Sequence, residues 1–150
     1  MENLEQLKKE SNQILNSFPY GDKEASKIAR KKLREIEAQT IQLLDLKPSM
    51  VFYESWGYDQ TNIDFLEVVE VSPTKKSVMC RMIGKKRIDE YSVAPDPNFK
   101  ESALFRLLVG AYGQEIRLRG SYPFCNGGKR EGSFSLYTKP VYETPEGMGH

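Results

Sequence analysis

The stretch TIQLLDLKPSMVFY, residues 40–53, contains the point at which the pattern of the chain changes. Before it, apolar residues recur every three or four positions, the spacing of an amphipathic α-helix. Lys47 and Pro48 end that pattern, because the residue before a proline is pushed out of the helical region. From Met50 onward, short runs of β-branched and aromatic residues alternate with turn residues. We therefore predict an α+β protein, with a helical hairpin over residues 1–47 and a β-rich domain over residues 48–150.

Two helices are predicted before the boundary, over residues 2–18 and about 23–46. Gly21 between them can adopt a positive φ, and the Asp22 carboxylate can cap the second helix. Apolar side chains of the second helix follow the steps of a coiled-coil seam: Ala29, Leu33, Ile36, Thr40 and Leu43. This seam is expected to pack either on the β-rich domain or on another copy of the chain, which makes a homo-oligomer through the N-terminal helices one expected state.

The β-rich domain is predicted to be a small antiparallel barrel or a strongly bent sheet, because its short strands are separated by closely spaced turns. Pro95 and Pro97 mark a loop over residues 94–98 by composition. The predicted strands cover residues 50–53, 63–71, 77–83, 87–93, 104–109, 115–119 and 133–137.

Composition limits the function classes. With 22 basic and 21 acidic residues, the chain has no bulk field that would draw it to DNA or membranes, so a nucleic-acid role must depend on local patches. Cys80 and Cys125 are too few for a disulfide framework, so reduced structural thiols are expected, with one disulfide as the alternative. An acidic N-terminus and the absence of a long apolar run predict a cytoplasmic protein without a membrane partner.

The most unusual segment is SWGYDQTNIDF, residues 55–65, which holds the only tryptophan and more polar side chains than a simple hairpin needs. One interpretation is structural, with Trp56 closing one end of the barrel and the polar side chains satisfying turn backbone groups. A second is recognition of a base or nucleotide. In it, Trp56 and Tyr58 offer flat faces, and the polar edges are read by Asp59, Gln60 and Asn62.

Catalysis is the third interpretation of this segment. Asp59, Asn62 and Asp64 carry oxygen ligands of the kind that hard cations prefer, although three at this spacing are a weak metal signal. The only histidine, His150, is the last residue, so a Ser-His-Asp arrangement would depend on it alone. Residues 127–130 lack the spacing and the Ser or Thr of a phosphate-binding loop. No cofactor, no bound metal and no catalytic residue are therefore expected.

The same segment, followed by a valine-rich strand, resembles a motif of small uncharacterised proteins encoded by bacteriophages and mobile elements. The end of the chain, KPVYETPEGMGH at residues 139–150, is similar to the C-terminal signature of that family. The resemblance covers the β-rich domain and leaves the helical hairpin outside. It implies a phage or mobile-element origin and a shared β-fold, but no activity, because none is assigned to the family.

Two sets of basic residues are candidates for phosphate-binding faces. One set is spread over predicted strands and turns: Arg81, Lys85, Lys86, Arg87, Arg117, Arg119, Lys129 and Arg130. On residues 115–119, strand alternation places Arg117 and Arg119 on one face, where they can grip a phosphate or a carboxylate, or simply face solvent. The second helix carries the other set in its first half: Lys23, Lys27, Arg30, Lys31, Lys32 and Arg34. A solvated helix face is the plainer explanation of that set.

These observations favour a non-catalytic binding protein of phage type, acting in the host cytoplasm. It would occupy or sequester a host protein, a nucleic acid or a nucleotide signal, with interference in host defence as the natural context. The expected ligand-binding residues are Trp56, Tyr58, Asp59, Gln60, Asn62, Arg117 and Arg119. The alternatives are a metal-dependent hydrolase centred on Asp59 and Asp64, and an assembly protein that oligomerises through the hairpin.

Overall fold

The computed structural model describes residues 2–57, 60–112, 115–124 and 128–144. Its elements, in chain order, are α1 (Glu2–Asn16), α2 (Lys23–Leu43), β1 (Val51–Trp56), β2 (Asn62–Val71), β3 (Ser77–Asp89), β4 (Ser92–Lys100), β5 (Phe105–Tyr112), β6 (Glu115–Phe124), β7 (Gly128–Leu136) and β8 (Val141–Tyr142). All pairs between these strands are antiparallel. The predicted fold class, a helical hairpin followed by a small antiparallel barrel, is confirmed.

Six strands close the barrel in the order β1, β2, β3, β5, β6 and β7, with β7 pairing back to β1. Successive side chains of a strand point to opposite faces, so every second residue points into the barrel. On β2, Leu66 and Val68 belong to the main buried cluster, whereas Phe65 belongs to a smaller cluster on the outer side. The core therefore lies inside the closed sheet, with a second layer outside β1 and β2.

The remaining two strands extend the sheet as an arm. The first half of β3 pairs with β2 and β5, and its second half, from Gly84, pairs with β4, to which β8 adds. The predicted loop over residues 94–98 is wrong, because these residues lie in β4. The predicted strand over 87–93 is wrong as well, because this range contains the turn between β3 and β4. Beyond Val93, β4 is an edge among the described strands, where Pro95 and Pro97 are tolerated without a lost ladder bond.

The hairpin covers one end of the barrel. Asp22 caps α2 as predicted, since its side chain accepts a hydrogen bond from the Ala25 backbone N–H at 3.1 Å. Beyond the predicted seam, Ile41 and Leu46 are buried in the same cluster as the barrel interior. Two hydrogen bonds tie this end to the β2–β3 turn: Gln42 Nε2 to the Thr74 carbonyl at 2.7 Å, and Lys75 Nζ to the Leu44 carbonyl at 3.2 Å.

The predicted seam is only partly buried. Ile36 and Thr40 are buried, but Leu43 is exposed, because the last turn of α2 presents Ile41 to the barrel instead. Packing on the chain's own barrel is thus present, and self-association through the hairpin stays a prediction. No helix among the described residues has the length and apolar character needed to cross a membrane.

Candidate binding site at the open end of the barrel

Strand β1 carries a charged and an aromatic residue on its inward face. Phe52 is fully buried in the core, and alternation places Glu54 and then Trp56 above it on the same face. Glu54 is only 9% exposed, and Trp56 is half-buried. The end of the barrel opposite the helices is therefore lined by a carboxylate and an indole where the core pattern would continue with apolar residues.

Strand β2 brings two more polar side chains to the same end. In the β1–β2 register Asp64 pairs with Glu54, and Asn62 pairs with Trp56. Both polar residues share the inward alternation of Leu66, so they face the interior beside their partners.

Strands β6 and β7 complete the arrangement from the other side. The buried Tyr122 donates its hydroxyl hydrogen to Asp64 Oδ2 at 3.1 Å. Its register partner Arg130 lies with one guanidinium nitrogen 3.5 Å from Glu54 Oε1, and with its Cζ 5.3 Å from the centre of the Trp56 ring. We call these residues the mouth cluster: Glu54, Trp56, Asn62, Asp64, Tyr122 and Arg130.

A glycine on β7 makes room for this cluster. A Cβ on Gly132 would clash with Glu54 Oε2 and would lie 2.7 Å from Cε1 of Tyr122. Any larger residue at this position would push the carboxylate or the phenol ring aside. The absence of a side chain here therefore lets Glu54 and Tyr122 share the interior.

The protonation of the cluster follows from its burial. Burial raises the pKa of Glu54, and the Tyr122 hydroxyl, the Arg130 charge and the Ser133 backbone N–H oppose this only in part. Burial and the carboxylates of Asp64 and Glu54 raise the pKa of Tyr122 far above its usual value. Tyr122 therefore stays a neutral hydrogen-bond donor between two carboxyl groups. Burial disfavours the charged form of one of them, Glu54.

The β1–β2 loop forms one rim of the mouth cluster. Gly57 has φ of 124°, and a Cβ on it would collide with the Gln60 carbonyl, so only glycine fits this turn without strain. Gln60 Nε2 donates to Asn62 Oδ1 at 3.1 Å, and both side chains are half-buried. Tyr58 and Asp59, predicted to belong to this site, lie outside the described residues.

The predicted pair of outer arginines does not join the mouth cluster. Arg117 and Arg119 alternate with the buried Ile116 and Leu118, so they point to the outside of the wall, whereas Trp56 points inward. Arg119 Nε lies near Gly110 on the side of the barrel that α2 covers. The arginine that contacts Trp56 is Arg130, and a binding role for Arg117 and Arg119 stays a prediction.

Other basic residues of the β-rich domain neutralise buried glutamates. Arg81 and Lys100 contact Glu67, and Lys85 and Arg87 contact Glu143. The basic residues of the first half of α2 are all exposed, which agrees with a solvated helix face.

A metal centre receives no support from the described residues, among which no group of three His, Cys, Asp or Glu side chains is placed to hold an ion. Asp64 is engaged by the Tyr122 hydroxyl. Asp59 and His150 lie outside the described residues. The geometry thus supplies hydrogen-bond acceptors, a donor and a flat cationic–aromatic pair, a set suited to binding.

A cavity of about 810 Å³ lies at the helical end, between α1, α2 and the β5–β6 hairpin. Its walls combine apolar side chains, such as Leu7 and Leu33, with the charged Lys8, Glu37 and Glu115. No aromatic side chain is among its described lining residues, whereas the mouth cluster pairs an indole with a guanidinium. The mouth cluster is therefore the stronger candidate site for a flat ligand.

Comparison with protein-family models, with curated proteins and with solved structures gave no match.

Two residues of the mouth cluster, Glu54 and Tyr122, do not emerge from the sequence. Arg130 emerges only as one member of a dispersed basic set. The sequence carries one signal for Glu54. Phe52, Glu54 and Trp56 are two positions apart on one strand, so they point to the same face, and Phe52 is a core residue. Nothing local in the sequence marks Tyr122, and nothing local separates Arg130 from the other residues of the basic set. The positions of Tyr122 and Arg130 depend on the closure of β7 onto β1.

Proposed function

We propose that the protein is a non-catalytic binding protein that holds a nucleobase-bearing ligand at the mouth cluster. The observation that carries this proposal is the half-buried Trp56 ring beside the Arg130 guanidinium, next to the buried Glu54 carboxyl group and the half-buried Asp64. An indole and a guanidinium give a flat face on which a base can stack. Carboxyl groups accept hydrogen bonds from the N–H groups on the edge of a base.

The neighbouring amides suit the same ligand. The Gln60 and Asn62 side chains are hydrogen-bonded to each other. The edge of a base could replace this bond with a hydrogen bond to either amide, so no polar group would be left without a partner. The Arg130 guanidinium can serve the phosphate of a nucleotide as well as the ring. These properties support recognition, because the side chains of the mouth cluster supply a flat face and hydrogen-bonding groups.

The biological setting of the proposal comes from the family resemblance. A small protein of phage or mobile-element origin that binds nucleobases can act by withholding a host nucleic acid or a nucleotide signal. Sequestration requires affinity and not catalysis, which agrees with the composition of the site.

The test uses the fluorescence of Trp56, the only tryptophan. Mononucleotides and short single-stranded DNA and RNA are titrated into the full-length protein, and calorimetry measures affinity for the variants. Trp56→Ala should weaken binding by about 1–3 kcal/mol if the ring stacks on a base. Asn62→Ala should weaken it by about 0.5–1.5 kcal/mol, the worth of one hydrogen bond.

The matched controls are Gln13→Ala and Arg34→Ala, two exposed positions on the helices, which should leave affinity unchanged. Arg130→Ala is compared with Arg34→Ala to separate local contact from net charge. The proposal is wrong if no nucleotide or oligonucleotide binds at millimolar concentration. It is also wrong if affinity falls in the mouth variants only as far as their folded fraction does.

A further inference from the structure

We infer that residues 141–144 form a strap that positions the mouth cluster, with Glu143 as its positioning residue. This inference deepens the proposed function, because it names what holds the β2 side of the proposed site. It also makes sense of the C-terminal sequence, to which the mouth cluster itself assigns no role.

The strap runs from the arm to the first residues of β2. Val141 and Tyr142 pair with β4, and the Glu143 backbone N–H donates to the Tyr91 carbonyl at 3.0 Å. At Thr144 the chain reaches Thr61, with a hydrogen bond in each direction. The Thr144 N–H donates to the Thr61 carbonyl at 2.9 Å, and the Thr61 N–H donates to Thr144 Oγ1 at 2.7 Å.

The buried Glu143 carboxylate anchors the strap through hydrogen bonds. It is 5% exposed, and its Oε2 accepts from the Ile63 backbone N–H at 2.9 Å and from Lys85 Nζ. Its Oε1 accepts from the Arg87 guanidinium at 2.7 Å. A buried carboxylate is tolerated only when it is paired and hydrogen-bonded, and here two cations and a backbone donor meet that condition.

These bonds hold the two neighbours of a mouth residue. Thr61 and Ile63 flank Asn62, and the strap fixes the backbone of both. The Ile63 side chain is buried in the outer cluster, against which Val141 of the strap packs. Because side chains alternate along a strand, holding Ile63 outward keeps Asn62 inward, opposite Trp56.

The two segments that stand apart in the sequence therefore meet in space. Thr61 and Ile63 belong to SWGYDQTNIDF, and Glu143 and Thr144 belong to KPVYETPEGMGH. Hydrogen bonds between the two segments fix the backbone of the first.

Hydrogen exchange on the full-length protein tests the strap without any ligand. In Glu143→Ala the Ile63 amide loses its acceptor, and its exchange should become about tenfold faster, as expected for one lost buried hydrogen bond. Thr144→Val should do the same for the Thr61 amide. Amides of the barrel core, such as Leu107 and Leu118, should keep their rates.

Acrylamide quenching of Trp56 fluorescence reports the effect on the mouth cluster. Quenching should increase in Glu143→Ala and return toward the native value in Glu143→Gln, which keeps an oxygen acceptor but loses the charge. The matched control is Glu131→Ala, an exposed glutamate on β7 that accepts from Ser121 Oγ; this variant should change neither measurement.

The inference is overturned if Thr61 and Ile63 exchange at native rates in these variants, or if all amides accelerate equally, which would indicate global destabilisation. Native quenching of Trp56 in Glu143→Ala would also overturn it. Failure of wild-type protein to bind nucleotides would remove the proposed function but leave these outcomes unaffected.

Discussion

The two ends of the barrel are closed in different ways. At the helical end, Ile41 and Leu46 join the apolar core, and burial of such surface stabilises the fold by about 25 cal/mol for each Å². At the mouth, the inward row continues with Glu54, Asp64 and Tyr122. Buried carboxyl groups are less favourable than apolar side chains of the same volume. The apolar contacts at the helical end therefore stabilise the fold, whereas the mouth contains polar groups that the stability of the fold does not require.

Two glutamates show the same contrast at closer range. Glu67 lies on the outer side of β2, where Arg81 Nε donates to it at 2.7 Å and Lys100 Nζ lies 3.0 Å away. Burial would raise the pKa of Glu67, but the hydrogen bonds and charges of Lys100 and Arg81 outweigh burial and lower it. Inside the barrel, burial prevails and the pKa of Glu54 is raised. The cations around Glu67 therefore favour its charged form, whereas burial disfavours the charged form of Glu54.

The largest expected effect concerns the helical end. Leu46→Ala should lower the free energy of unfolding by about 2–4 kcal/mol, because it removes a buried side chain and leaves a cavity. Urea denaturation measures the loss. Leu15→Ala, at an exposed leucine of α1, is the control and should change stability by less than about 0.5 kcal/mol. Equal losses in the two variants would contradict the burial of Leu46 in the barrel core.

A smaller loss is expected for the outer glutamate. Glu67→Gln should cost about 1–3 kcal/mol at pH 7, the range for hydrogen bonds to a charged group. Because the folded pKa lies below the unfolded value, this stabilisation is present above the unfolded pKa of 4.5 and disappears as pH falls through the folded value. The denaturation curves of wild type and variant should therefore differ at pH 7 and approach each other at pH 3. A difference that is independent of pH would contradict the ion pair.

The inner glutamate should respond in the opposite sense. Its folded pKa is raised, so its contribution is present below the unfolded pKa of 4.5 and is lost as pH rises through the folded value. Glu54→Gln should therefore gain stability relative to wild type as pH rises from 4 to 8, by about 1.4 kcal/mol for each pH unit that separates the unfolded from the folded pKa. Urea denaturation across this range measures the gain. If the variant instead loses stability, Arg130 holds the carboxylate ionised and the contrast with Glu67 fails.

The smallest effect is expected for Cys80, a free thiol inside the barrel. Burial raises its pKa to about 12, so alkylation of native protein at pH 8 should be far slower than in denaturant. A reducing agent should leave the Tm unchanged. Rapid labelling of Cys80 would show that the barrel opens readily. Cys125 lies outside the described residues, and quantification of the Cys80 peptide by mass spectrometry separates the two thiols.

Local pattern explains which parts of the fold were predictable. The helices, the Asp22 cap and the change of pattern at Pro48 depend on residues within a few positions of one another. The loop predicted over residues 94–98 is wrong, because Pro95 and Pro97 lie in an edge strand, which accepts proline. Trp56, Asn62 and Asp64 could be grouped as neighbours from the sequence, since they share one hairpin.

The α+β class, the hairpin and the unusual character of residues 55–65 follow from the sequence alone, because periodicity and composition are local properties. The side chains that surround Trp56 follow from the folded barrel. Arg130 reaches it through the closure of β7 onto β1, and Glu143 reaches Ile63 across 80 positions of chain. Such contacts depend on strand register and barrel closure, which the packing of the whole chain selects and no short segment encodes.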